Sequence, residues 1–251
     1  MDFRQRVLSQ SSAHDIVPSL DLHIDTKNYT VSLARSYKEL YQALRLRHDI
    51  FSPIIDQDRL DIDQFDDDSD HLIVTDKKSG TVIGNYRMRH SQKHQTFYSE
   101  TEFSMQDFLK IQDIKVELGR ACVHPDFRSS FVIPLLWRGM TTYMRLLNAR
   151  FLFGCSSVPL PAPIASLWQY LSQNDYVHNE YRAVPFHSYE QVAEGVVSLD
   201  MFPSLFLSYL KSGAKVLGPP AYDELFKCVD FLTLLDAEKL SHHRAKRFSI
   251  S

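Results

Sequence analysis

Two segments of this chain concentrate residue types that do chemistry in pairs. One is Glu117-Leu-Gly-Arg120, which continues as Ala-Cys-Val-His-Pro-Asp-Phe-Arg128 and then enters the apolar run Val132–Trp137. A carboxylate and a guanidinium in the middle of a strand-like stretch are costly to bury unless they pair or act on something. The other is Asp61-Ile-Asp63-Gln-Phe-Asp66, directly ahead of the strand-like His71-Leu-Ile-Val-Thr75. Glu117 and Arg120 stand three apart, so regular pleating sends them to opposite faces. Gly119 between them is expected to open a bulge that re-aims one side chain. A purely structural ion pair is the alternative.

The elements that must position these residues can be read from period and punctuation. Tyr29–Ala34 alternates as a strand; Ser36 and Glu39 form a capping box ahead of a helix that ends before Pro53. Leu72–Asp76 and Val82–Arg89 read as a hairpin turning at Lys77-Lys78-Ser79-Gly80. Residues 91–108 read as a long loop, and His90 and His94 within reach of it as solvated loop histidines. Strands are expected at Lys115–Val123, Phe151–Cys155, Lys215–Leu217 and Val229–Leu235. Helices are expected at Val132–Leu147, Ile164–Ser172, Pro203–Lys211 and Tyr222–Phe226. Residues 1–28 read as a flexible arm, 29–236 as the folded domain and 237–251 as a basic tail. A hairpin followed by strand–helix–strand makes the fold class α+β.

Composition excludes several roles. The 251 residues are 44% hydrophobic and 24% charged with a net charge of −3, which gives nucleic-acid binding no electrostatic support. Cys122, Cys155 and Cys228 lack metal-ligand spacing and read as reduced, buried thiols of a cytoplasmic protein. No apolar run reaches transmembrane length and no secretory signal is evident. Phosphate-loop, dinucleotide, zinc-protease and hydrolase-elbow motifs are absent. Eight aspartates lie between Asp56 and Asp70. A calcium loop begun at Asp61 would need Gly and Glu where Asp66 and Leu72 stand, so no metal is expected. A solvated acidic loop is the plain reading of Asp67, Asp68 and Asp70.

Arg47…Phe51, Asp61-x-Asp63-x-Phe65-Asp66, His71-Leu, Gly84-x-Tyr-Arg87 and Glu117-Leu-Gly-Arg120 together resemble the signature of acyl-homoserine-lactone synthases. The same residues resemble their relatives, the acyl-carrier-protein-dependent amino acid N-acyltransferases. Tyr98-Ser-x-x-x-Phe103, Gly119–Arg128, Leu136-Trp-Arg-Gly139, Leu152-Phe-Gly-Cys155-Ser, Gly213-Ala-Lys-Val-x-Gly-Pro-Pro-Ala221-x-Asp223 and Val229-Asp-Phe231 are similar to the bacterial ornithine N-acyltransferases. The resemblance runs from about Tyr29 to Asp236. It implies a GCN5-related N-acetyltransferase-like mixed sheet, splayed centrally, flanked by helices, with a C-terminal extension.

The resemblance also implies the chemistry. The α-amine of an amino acid, foremost L-ornithine, attacks a 3-hydroxy fatty acyl thioester, with Glu117 as general base and Arg120 beside it. Arg47, Asp61, Asp63, Asp66 and Arg87 would line the acceptor: arginine suits a carboxylate, aspartate a side-chain ammonium. The alternative for Arg47 and Arg87 is that they only tie down the aspartate loop. Coenzyme A enzymes of this superfamily carry glycines where this chain has Arg128-Ser-Ser-Phe-Val-Ile, because bare backbone N–H groups cradle a pyrophosphate. A carrier protein's phosphopantetheine has a single phosphodiester, so acyl carrier protein is the expected partner and co-substrate, with no bound cofactor. Arg128, Arg138 and Arg145 are the expected docking cations for that acidic partner. Peripheral contact with the inner membrane is a further expectation. The resemblance leaves open glycine or another amino acid as acceptor, a homoserine-lactone synthase, and a non-catalytic acyl-carrier-binding protein.

Overall fold

The computed structural model describes residues 2–10, 16–51, 59–128, 131–191 and 197–239. In chain order these form helix α1 (Phe3–Ser9), strands β1 (His23–Asp25) and β2 (Tyr29–Leu33), helix α2 (Tyr37–Phe51), and strands β3 (Asp70–Asp76) and β4 (Thr81–His90). A 3-10 turn (Tyr98–Thr101), strand β5 (Phe103–Ser104), helix α3 (Gln106–Leu109), strand β6 (Lys115–Val123) and helix α4 (Val132–Leu147) follow. Then come β7 (Phe151–Pro159), α5 (Ile164–Gln173), β8 (Val184–Pro185), α6 (Ser204–Ser212), β9 (Lys215–Val216), β10 (Ala221–Asp223) and β11 (Cys228–Asp236). The chain divides into two compact units, and β6 passes from one to the other after Glu117. The class is α+β, as the sequence predicts.

The first unit holds β1 to β4, each antiparallel to the next. Helix α2 starts as its capping box requires: Ser36 Oγ accepts from the Glu39 amide at 3.3 Å, and Glu39 accepts from the Ser36 amide at 3.2 Å. Its Ala43 and Leu46 pack with Ile73, Val82 and Cys122. Leu72 points to the opposite face, where α4 lies. The approach of α4 is close enough that a Cβ on Gly139 would stand 2.8 Å from Leu72 and 2.9 Å from Val31. A side chain at 139 would force Leu72 and Val31 to shift.

In the second unit β6 pairs in parallel with β7 over Lys115–Glu117 and Phe151–Phe153. β7 pairs antiparallel with β11 along nine residues, and β10 and β9 both pair with β11. Phe231 of β11 packs with Phe202 and Phe206 beside α5 and α6. Leu232 and Leu234 face the other way, onto Phe97, Phe103 and Phe108 of the 97–109 segment and onto Phe151 and Phe153.

Five expectations need correction. Asp70 is not part of a solvated loop: it opens β3, is 5% exposed and accepts from Tyr143 Oη at 2.6 Å. The N-terminal segment is not a loose arm throughout: α1 is capped by Asp2, and its Val7 is fully buried against Tyr37, Leu40 and Leu44 of α2. Tyr222–Phe226 is not a helix. Ala221–Asp223 pairs with Cys228–Asp230, and Asp223 accepts from the Phe226 amide to close the turn between them. The 91–108 loop contains the 3-10 turn, β5 and α3. His90 and His94 are buried, with ring centroids 5.8 Å apart edge to face. The basic stretch Ser241–Arg247 lies outside the described residues.

Candidate active site

Sequence places the aspartate box after α2 and Arg87 and Arg120 on strands; in the first unit the fold closes them into one circuit. Arg47 Nε donates to Asp61 at 3.0 Å, and Asp61 is 3.2 Å from Arg120 Nε. Arg120 Nη2 donates to Asp63 at 3.0 Å, and Asp63 accepts from Arg87 Nη1 at 2.5 Å. Arg87 Nη1 reaches Asp66 at 3.4 Å, and Asp66 takes Arg47 bidentately at 2.6 and 3.1 Å. Three arginines and three aspartates therefore alternate around a neutral ring. Arg47 is 0% and Asp66 1% exposed, which is tolerable only because each charge has opposite charges on both sides. Burial opposes ionisation of Asp66, yet Arg47 and then Arg87 outweigh it and hold this carboxyl far below the usual range. Burial likewise opposes the Arg47 charge, and Asp66 and Asp61 raise its pKa regardless.

Arg120 reaches the ring through its backbone. Its φ is +51°, the left-handed region, where a side chain is re-aimed relative to a regular strand. The irregularity expected at Gly119 sits one residue later. Gly119 itself lies beside Arg87, whose Nη2 would be in ordinary contact, 3.6 Å, with a Cβ placed there. The Arg87 and Arg89 guanidiniums stand 5.5 and 5.1 Å from the centroid of Phe65, so the aromatic residue of the box packs against cations. Arg47 and Arg87 both hold the aspartate loop, a contact that either sequence reading accommodates.

Glu117 belongs to the second unit and is 3% exposed. Its carboxylate accepts from the Tyr98 amide at 2.9 Å, the Ser99 amide at 2.7 Å and Ser99 Oγ at 2.7 Å. Three donors converging on one carboxylate fix the start of the 3-10 turn. Proton abstraction by Glu117 has to compete with those bonds, so the geometry describes an anchor of that turn first and a base second.

Sequence reading passed over an acidic group on the same unit. Register puts Cys155 opposite Leu232, Ser157 opposite Asp230 and Asp223 opposite Cys228, so these side chains share one sheet face. Glu102 comes down on that face with Cys155 Sγ 3.7 Å away, and Tyr98 Oη lies 3.5 Å from Asp223. Burial, then the neighbouring Asp230, pushes the Glu102 carboxyl up to about 9, so it holds its proton at neutral pH. Burial and then Glu102 also raise the Cys155 thiol. Glu102, Cys155 and Asp230, and likewise Asp223, Cys228 and Asp230, are the sets among the described residues with ligand atoms close enough for a cation. The shared proton already relieves the repulsion between Glu102 and Asp230. The signal available in sequence was faint: isolated acids at Asp223 and Asp230 in otherwise apolar strand surroundings.

Of the expected docking cations, Arg128, Arg138 and Arg145 are exposed, the latter two on α4. Arg150, beyond that helix, is engaged by Asp236 at 2.9 Å, Glu238 at 3.2 Å and Asp113 at 3.3 Å.

Residues 46–138 match the acetyltransferase (GNAT) domain family. An N-acyl amino acid synthase from uncultured soil microbes superposes with a TM-score of 0.51 at 11% identity, over 85% of this chain and 93% of its own, a likeness of fold. In sequence, the L-ornithine N(alpha)-acyltransferase of Rhodobacter capsulatus is 29% identical over 86% of this chain and 93% of its own length. That of Brucella abortus is 31% identical over 84% of this chain and 85% of its own length. The chain belongs to the L-ornithine N(alpha)-acyltransferase family. It is an acyltransferase with a GNAT-like mixed sheet. In this acyltransferase the charged ring lies wholly within the span that aligns with the GNAT domain family, since Arg47 and Arg120 both fall between residues 46 and 138. Glu102, at 102, falls there too, whereas Asp223 and Asp230 belong to the C-terminal part beyond it. No helix among the described residues is long and apolar enough to cross a membrane.

Proposed function

We propose that this acyltransferase moves a 3-hydroxy fatty acyl group from acyl carrier protein to the α-amine of L-ornithine in ornithine-lipid synthesis. The observation that carries this reading is the 31% identity to the Brucella abortus L-ornithine N(alpha)-acyltransferase across 84% of this chain. In the reaction the amine nitrogen attacks the thioester carbonyl, a C–N bond forms and the C–S bond breaks. The ammonium form of ornithine gives up two protons, one to the departing thiolate and one to solvent. The amine must be neutral when it attacks, so a proton acceptor near the thioester is required.

Glu117 serves that reaction through the turn it anchors. It sets the backbone of Tyr98 and Ser99, and a water held by that carboxylate carries the amine's proton away. The ring of Arg47, Asp61, Asp63, Asp66, Arg87 and Arg120 positions the acceptor side by fixing the loop from Asp61 to Asp66. The donor is a carrier protein, because the glycine-free Arg128-Ser-Ser-Phe-Val-Ile offers no pyrophosphate cradle. Exposed Arg128, Arg138 and Arg145 receive its acidic surface. The enzyme works in the cytoplasm, at the periphery of the inner membrane, where an acylated product partitions.

Purified protein given L-ornithine and 3-hydroxyacyl carrier protein should release free carrier thiol and N-acylornithine, followed by mass spectrometry. Absence of N-acylornithine with carrier-bound and coenzyme A donors alike would overturn the reading. Equal turnover with the coenzyme A donor would remove its carrier-protein half.

A further inference from the structure

A cavity of about 210 Å³ in the first unit lies beside the charged ring and is used by nothing described so far. Its walls include Phe3 and Arg6 of α1, Ile16 and Val17, Tyr37 and Leu40 of α2, and the Asp66–His71 segment. Val17, 87% exposed, and the Arg6–Asp67 pair, with side chains 33% and 56% exposed, mark its mouth. His71, 4% exposed, belongs to its inner wall.

The hydrogen-bond chemistry of the walls is lopsided. His71 Nε2 stands 3.2 Å from the carbonyl oxygen of Asp66. A carbonyl only accepts, so Nε2 carries the hydrogen and Nδ1 keeps its lone pair. That Nδ1 is buried and has no hydrogen-bond partner among the described residues. The carboxylates around it are already engaged. Asp66 belongs to the ring, Asp70 accepts from Tyr143 Oη at 2.6 Å and from the Ser19 amide at 2.8 Å, and Asp67 holds Arg6 at 2.8 Å. Burial, with Asp66 opposing and Arg47 assisting, lowers the imidazole to about 4, so the acceptor form persists at neutral pH. At the mouth the reverse occurs: Arg6 Nε is a buried donor without a partner among the described residues. The same cavity is also lined by the apolar Phe3, Ile16, Tyr37 and Leu40.

An orphan acceptor inside, an orphan guanidinium donor at the mouth and apolar walls complement a small molecule with an ammonium at one end and a carboxylate at the other. We propose that this cavity is the acceptor site, with the δ-ammonium of ornithine on His71 Nδ1 and its α-carboxylate on Arg6. The assignment rests on the acyltransferase reading above. It leaves the α-amine at the mouth, and it makes His71 the residue that distinguishes ornithine from amino acids without a second amine.

The test compares ornithine with norvaline, which has the same carbon chain and no δ-amine, using carrier-bound donor and the full-length protein. Wild type should favour ornithine in kcat/KM by roughly 10- to 100-fold, the usual weight of one hydrogen bond to a charged group. In His71→Gln the amide nitrogen can stand in for Nε2 as donor to the Asp66 carbonyl, while the amide oxygen is displaced from the Nδ1 position and no acceptor remains there. It should raise the ornithine KM by about that factor, leave norvaline unchanged and abolish the preference. A merely structural histidine would affect both acceptors equally. Arg6→Gln, on the half-exposed α1, should raise KM for both acceptors together and covers the case in which His71→Gln does not fold. If wild type acylates ornithine but His71→Gln keeps the preference, or Arg6→Gln leaves both KM values unchanged, the cavity assignment falls and the acyltransferase reading stands. If wild type acylates no ornithine at all, the reading itself falls and takes the assignment with it.

Discussion

Replacing Asp66 with asparagine should destabilise the protein by about 4 kcal/mol, the middle of the range for breaking a buried ion pair from one side. The structure gives the reason atom by atom. One Asp66 oxygen accepts from Arg47 Nη1 and Arg87 Nη1, the other from Arg47 Nη2 and the Asp63 amide. An asparagine keeps one oxygen and turns the other into a donor, so two of these four bonds are lost whichever way the amide faces. Losing two charge-assisted bonds at roughly 1.5–3 kcal/mol each gives about 3–6 kcal/mol, in agreement with the first figure. Arg47, 0% exposed, keeps Asp61 as its remaining charged partner and one bond to the neutral amide oxygen. For a chain of this length the melting temperature should fall by about 8–16 °C. Asp67→Asn, at an exposed pair with Arg6, is the control and should cost about 1 kcal/mol or less. The acid dependence has a definite sign: the unfolded chain takes up the Asp66 proton near 3.8, the folded chain only at far lower pH. Stability from this group is therefore complete above pH 4 and declines below it. Circular dichroism melts and urea titrations at pH 7 measure the main effect. A shift under 2 °C with a raised ornithine KM would refute the reasoning and return Asp66 to direct acceptor binding.

Glu117→Gln should lower turnover by about 100-fold or more and also destabilise the fold by about 1–3 kcal/mol, since an amide NH₂ would face a backbone N–H in the Tyr98–Ser99 turn. Wild-type turnover with a normal melting temperature would remove Glu117 from both roles. Glu102 keeps its proton to about 9 when folded and loses it near 4.5 when unfolded, so wild-type stability should fall as pH rises through that window, by at most about 1.4 kcal/mol per unit. Urea midpoints of Glu102→Gln between pH 6 and 9 should lose that component; an unchanged slope would assign it elsewhere. Arg145→Glu should raise KM for acyl carrier protein in a salt-dependent way and leave activity with a short pantetheine thioester unchanged, whereas equal loss with both donors would defeat docking at α4.

Periodicity and capping made most of the scaffold legible. Ser36 and Glu39 announced α2, and the Val132–Leu147 and Lys115–Val123 bounds match the structure to the residue. The Tyr222–Phe226 error has a local cause: two aromatics four apart imitate a helical face, and pairing with β11 overrides them. Residue types also disclosed the ring's members, but not that they satisfy one another. Spacing along a chain cannot reveal that Arg120, in a left-handed conformation, meets Asp61 and Asp63 some sixty residues earlier. Glu102 and Arg6 were hidden for the same reason, and so was the unpartnered Nδ1 of His71. Burial is what makes a proton, a lone pair or an orphan N–H consequential, and burial is a property of the assembled structure.

The closed charge circuit also constrains how this protein can change over generations. Each of its six members answers to two others, so a single neutralising substitution leaves an odd charge in a ring whose Arg47, Arg87 and Asp66 are shut away from water. Drift at one position is blocked unless a second position changes with it, and no intermediate between the two states is comfortable. An open chain of ion pairs could be trimmed from its ends; a ring has no end to begin from. Variation in this enzyme should therefore collect elsewhere, at sites such as the exposed pair Lys110–Asp107, where residues can be exchanged one at a time.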